Sequence, residues 1–182
     1  MGKSLYPCVC VVALLAGVAL ANPASPYAGQ ETREIKGLAP EDVEAYLSGK
    51  GMGLAKAAEL NGYPGPAHVL ALSSELQLTP DQKARTQSLF SSMEARAISL
   101  GRALITQEQQ LDEQFASRTI TRESLAALLR SIGELQSQVR DVHLEAHLAQ
   151  LTILTPSQVA KYIELRGYTS ATKHQGSHEH AH

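Results

Sequence analysis

From residue 80 to residue 152, apolar side chains return every three or four positions in two successive stripes. The first stripe runs Phe90, Met93, Ala97, Leu100, Leu104 and Leu111, with Gln107 filling its one polar gap. The second runs Leu125, Leu128, Ile132, Leu135, Val139, Val142, Ala146 and Ala149. That spacing marks helices that bury one face, so the pattern predicts two long helices over 80–115 and 122–152. No proline interrupts either span, and the break falls at 117–121. At ~1.5 Å per residue the first rod is roughly 54 Å long. The two seams are expected to face each other in an antiparallel, coiled-coil-like hairpin.

One phrase, Leu-Thr-Pro-x-Gln, stands at both ends of this region, as Leu78-Thr79-Pro80-Asp81-Gln82 and as Leu154-Thr155-Pro156-Ser157-Gln158. Each copy reads as a helix start. The threonine hydroxyl caps, proline fixes φ at the first helical position, and glutamine two residues on reaches back to the cap. A short helix carrying His68, Val69, Leu72 and Leu76 precedes the first copy, and one carrying Val159, Tyr162, Ile163 and Leu165 follows the second and stops at Gly167. Upstream, Pro40-Glu41-Asp42-Val43 opens another short helix with acids at the positive end of its dipole. The glycines of Gly49-Lys50-Gly51-Met52-Gly53 end it in a turn; the Lys-Ser/Thr ending and preceding strand of a phosphate loop are both missing. Residues 54–60 suit a further short helix. The stretch Asn61-Gly62-Tyr63-Pro64-Gly65-Pro66 then reads as a boundary.

The expected fold is therefore all-α: a long antiparallel helical hairpin with short flanking helices. Leu129, Leu144, Leu148 and Leu151 fall outside the seam, so they are expected to meet the flanking helices or a second subunit, and a homodimer follows.

Composition and termini narrow the setting. Lys3 precedes an apolar run from Cys8 that ends in Ala19-Leu20-Ala21, the small-x-small pattern of a secretory cleavage site. Its length falls short of the roughly 20 residues that span a bilayer, so residues 1–21 read as a cleaved signal peptide and the mature chain as periplasmic. Both cysteines leave with that signal, so stability rests on packing alone. The 16 basic residues fall to 15 against 18 acidic ones, and no basic run points to nucleic acid. With no Trp and two Phe, Leu and Ala must fill the core. The organisation is then 22–65, an N-terminal arm with short helices; 66–168, the hairpin domain; and 169–182, a histidine-rich tail expected to be disordered.

His143 and His147 are four apart on one predicted helix, so their imidazoles share a face at a separation where both can hold one metal. Spacing alone is weak, because helix histidines at four also arise as solvated or hydrogen-bonded residues. Antiparallel register adds to it. With the turn near residue 118, Glu94 lies opposite His143, Phe90 opposite His147, and Met93 adjacent. A thioether, a carboxylate and two imidazoles form a donor set suited to a divalent transition metal, zinc, copper, nickel or cobalt. His68 lies on the helix that folds back on this end. The tail offers His174, His178, His180 and His182, which can bind such ions loosely; their alternation with Glu and Ala marks a natural histidine-rich end rather than a tag. A zinc protease is not expected, since Glu145 sits about 200° around the helix from His143. No thiol nucleophile, paired carboxylates or serine motif stands out either, so no enzyme is expected.

The two Leu-Thr-x-x-Gln phrases, with a histidine pair just ahead of the second, resemble the periplasmic Spy/CpxP family over residues 67–168. The resemblance is closer to its heavy-metal-resistance and metal-sensor branch. It implies a helical hairpin whose metal ligands are a histidine upstream of the first phrase and a pair before the second; some relatives carry two upstream histidines where this chain has His68 alone. It also implies a periplasmic protein that passes metal occupancy to a membrane-bound partner, such as an anti-sigma factor or a sensor kinase. The alternative that it permits equally is an ATP-independent chaperone acting on unfolded client proteins.

Overall fold

The computed structural model of the protein describes residues 25–168, so residues 1–21, read as a signal peptide, and the histidine-rich stretch 169–182 lie outside the described residues. The chain divides into two compact units, residues 1–31 and 32–182. Of the first, residues 25–31 form turns closed by Ala28 N–H to Ser25 O and Gln30 N–H to Tyr27 O, each at 3.0 Å. All regular structure of the second among the described residues is helical: α1 (Pro40–Leu47), α2 (Lys56–Glu59), α3 (Pro66–Ala71), α4 (Pro80–Ala116), α5 (Arg122–Leu151) and α6 (Pro156–Leu165). No helix among them is long and apolar enough to cross a membrane.

The antiparallel pair α4 and α5 is the frame. Both predicted spans form, within a residue at each end. At the closed end α4 stops without glycine or proline. Arg118 takes a left-handed φ of 57°, and Thr119 N–H reaches back to Gln114 O while Arg118 N–H bonds Phe115 O, the two bonds of a Schellman ending. Thr121 then caps α5 through Ser124 N–H, and the Ser124 hydroxyl returns to the cap.

Packing along the seam follows the three-and-four pattern. Met93, Ala97, Val142 and Ala146 make one buried cluster with Leu89, Phe90 and Leu100 against it; Leu104, Leu128, Ile132 and Val139 carry burial toward the turn. Complete burial of a leucine such as Leu104 stabilises by roughly 1.5–3 kcal/mol. Leu111, Leu125 and Leu135 are only half-buried, whereas Gly101 and Ile105 are buried. The reason is α1, which packs across α4 so closely that a Cβ on Gly101 would stand 2.5 Å from Tyr46 O.

The open end carries a second core, Val69, Leu76, Leu154 and Tyr162, drawn from α3, α6 and the residues before the two caps. Both Thr-Pro phrases form complete capping boxes. Their glutamines go further than capping. Gln82 Nε2 donates to Gln158 Oε1 at 2.8 Å and Gln158 Nε2 to Gln82 Oε1 at 3.0 Å. The second amide hydrogens go to Ile153 O and Leu76 O. A buried Gln150–Thr86 bond of 3.2 Å lies one layer inward.

The stretch 61–66, read as a boundary, lies inside the compact unit, which begins at residue 32. Contacts upstream of it account for this: Ile35 is buried, Lys36 pairs with Asp112 at 2.9 Å, and Gly49 sits where a Cβ would be 3.1 Å from Glu94 O.

Candidate functional site

Where α4 and α5 meet the segment from Ser48 to His68 and the end of α6, the protein encloses a cleft of about 620 Å³. His68, Met93, Glu94, His143 and His147, the five non-tail residues proposed from sequence, all border it. His174, His178, His180 and His182 lie outside the described residues.

His143 and His147 share a face of α5, and both are buried. The His143 Nε2 atom is enclosed without a hydrogen-bond partner. Gly51 passes close beside that ring, at 3.7 Å from Nδ1 for an added Cβ. His147 is held by a 2.7 Å bond between Nδ1 and Tyr63 O. A carbonyl only accepts, so Nδ1 carries a proton, and in the neutral ring Nε2 holds the lone pair, the tautomer that a backbone-oriented metal ligand uses. Met93 stays in the apolar seam and reaches the cleft from there, while Glu94 is half-buried at its wall. His68 is the outermost of the five, with 48% of its side chain exposed and Nδ1 3.5 Å from Glu59 Oε1.

Glu59, which sequence reasoning passed over, is the most heavily bonded group of the cleft. Its Oε1 accepts from Tyr162 OH at 2.6 Å, Arg166 Nε at 3.0 Å and Tyr168 OH at 3.0 Å. Its Oε2 is buried with no hydrogen-bond partner. His147 Nδ1 lies 3.8 Å from that oxygen, but its proton is directed to Tyr63. Arg166 stacks over the Tyr168 ring at 5.7 Å. The only sequence signal for this cluster was one carboxylate at the end of the Leu54–Leu60 run.

Electrostatics favours the neutral form of the His143 and His68 imidazoles and the charged form of the Glu59 carboxylate. Burial pushes the His143 ring below its ordinary value, and His147 adds to this. His68 is lowered too, by burial first and then by Arg166, against an opposing pull from Glu59. Burial works to raise Glu59, yet the Tyr162 and Tyr168 hydroxyls, with His68 and Arg166, hold it below the usual carboxylate range. Tyr162 is driven up by burial and by that carboxylate. Neutral imidazole and ionised carboxylate are the protonation states that bind metal.

Among the described residues, no three of His, Cys, Asp and Glu are grouped as a ready metal shell. The donors border one space without converging on one point. Glu145 lies away from it, half exposed and bonded to Arg96 at 2.9 Å.

No family model matches the chain, and neither the curated proteins nor the solved structures contain a match to it.

Proposed function

We propose that this chain is a periplasmic metal-binding sensor or resistance protein of the Spy/CpxP kind, and that the cleft at the open end of the hairpin is its metal site. The observation that carries this reading is the gathering of His68, Met93, Glu94, His143 and His147, drawn from three separate parts of the sequence, around a single cleft. Two enclosed polar atoms there, His143 Nε2 and Glu59 Oε2, lack partners. Such atoms lose hydration on folding, and coordination compensates for that loss. His143 and His147, with Glu94 or Met93 and His68, would hold a divalent zinc, copper, nickel or cobalt ion. The ion would supply a positive charge that draws the 48–68 segment onto the hairpin. Occupancy then alters the surface offered to a membrane-bound partner, an anti-sigma factor or a sensor kinase, because the ion binds one arrangement better than another. Calorimetric titration of the chain lacking residues 1–21 tests the reading: one saturable site is expected for at least one of these ions, and absence of binding for all four contradicts it.

The chaperone reading draws on the exposure of Leu129 (52%) and Leu148 (57%) on α5. Against it, Leu144 is half-buried, and the apolar lining of the cleft is interleaved with ionisable side chains such as Glu59, His68, His143 and His147. Suppression of client aggregation by a molar excess of the metal-free protein, lost in a Leu129→Ser/Leu148→Ser variant, would favour the chaperone.

A further inference from the structure

We propose that Glu59 is itself a ligand of the cleft's divalent cation, presented by α2 and acting through Oε2 beside His147 Nε2. This inference rests on the metal-site reading above and adds a residue to it.

The placement of Glu59 runs against ordinary burial. In the single turn Lys56–Glu59 the carboxylate is the one buried residue, while the adjacent Leu60 is 61% exposed. A carboxylate turned inward must be compensated by partners. The three donors on Oε1 account for that oxygen and for the orientation of the side chain, and they leave Oε2 unexplained. Ten percent of the side chain is exposed, and Oε2 is enclosed with no donor.

Oε2 and the His147 ring both lie close against Gly65 at the wall of the cleft. A Cβ added to Gly65 would stand 3.6 Å from Glu59 Oε2, 3.0 Å from His147 Nε2 and 2.9 Å from His147 Cε1. Its φ of −83° suits any residue, so the requirement at this position is for space. Because His147 Nδ1 donates to Tyr63 O, Nε2 of the neutral ring is left as an acceptor on the Gly65 side. With the ring neutral, two lone-pair donors, one of them anionic, thus stand together at the cleft wall beside Gly65, and a hard or borderline cation satisfies both. Through Oε1 the same carboxylate is tied to Tyr162 and Arg166 at the α6 end. Ligation at Glu59 therefore links the ion to the last helix as well as to the hairpin.

Cobalt(II) titration followed by visible absorption tests this on the chain without residues 1–21, its tail present in every variant. Glu59→Gln keeps shape and an acceptor for Tyr162 but removes the anionic ligand. It is expected to weaken the cleft site about tenfold or more and to change the ligand-field spectrum, with helical circular dichroism unchanged. Gly65→Ala, whose Cβ crowds the His147 ring beside Oε2, is expected to weaken binding in the same direction. Wild-type affinity and spectrum in Glu59→Gln, alongside lost binding in His143→Ala/His147→Ala, would overturn the role of Glu59 and leave the metal-site reading standing. Wild-type binding in all of these variants would overturn both.

Discussion

Gln82 and Gln158, 76 positions apart, exchange amide hydrogen bonds in both directions at the open end of the hairpin. Each amide oxygen also accepts from the backbone N–H of its own threonine cap, and each remaining amide hydrogen goes to a carbonyl beside the other phrase. Two helix starts are thereby locked to each other with every polar atom of both amides satisfied.

Replacing either glutamine by alanine strands its partner's amide and a backbone carbonyl. Each substitution is expected to cost about 1–3 kcal/mol. The double variant should cost less than the sum of the two, because the coupling between contacting residues is counted once. Urea unfolding of the four proteins measures this; strict additivity would show that the pair is not coupled.

This clasp shows how far the sequence could be read. Threonine caps, proline at the first position and the three-and-four stripes are local signals, so the helix bounds, the turn and the hairpin register were legible, as were the cleft positions of His143, His147, Glu94 and Met93. Pairing of Gln82 with Gln158, docking of Tyr46 on Gly101 and the convergence of Tyr162, Arg166 and Tyr168 on Glu59 join residues more than 50 positions apart, apart from Gln158's reach to its own cap. No periodicity encodes such contacts. The 48–66 segment is short turns, where the direction of a side chain such as Glu59 depends on the assembled fold.

Two glycines in the hairpin should respond oppositely to alanine. At Gly101 the new Cβ meets Tyr46 O at 2.5 Å, whereas at Gly133 nothing lies within 4 Å. Overpacking at Gly101 is expected to cost about 1–3 kcal/mol, and Gly133→Ala to gain up to ~1 kcal/mol from helix propensity. Thermal unfolding of the two variants gives the signs.

The metal-free protein is expected to lose stability in two stages on acidification. His143 titrates below its ordinary 6.5 because burial disfavours the imidazolium, with His147 adding. The unfolded chain therefore takes up that proton first; the contribution is complete above 6.5 and is lost as pH falls through the lower folded value. Glu59 sits below its ordinary 4.5, so its contribution is complete above 4.5 and is lost as pH falls through its own lower value. Urea midpoints measured with chelator across this range should fall in that order. His143→Asn should shrink the first stage, the remainder belonging to His68, which is also held below its ordinary value; an unchanged profile would contradict the assignment.

A homodimer through hairpin surfaces is expected, with the exposed Leu129 and Leu148 among its contacts, burying the roughly 1,200–2,000 Å² of a specific interface. Sedimentation is expected to show a dimer, and Leu129→Glu/Leu148→Glu a monomer of unchanged helicity. A monomer for the unsubstituted chain at high concentration would remove this expectation.

The most direct test of the account compares metal affinity in three forms of the chain lacking residues 1–21: otherwise intact, His143→Ala/His147→Ala, and truncated after Tyr168. A cleft site predicts that the double substitution weakens the tight site by about tenfold or more, even with the tail present, while truncation leaves it in place. Binding that disappears with the tail and is untouched by the double substitution would contradict the cleft as the sensing site.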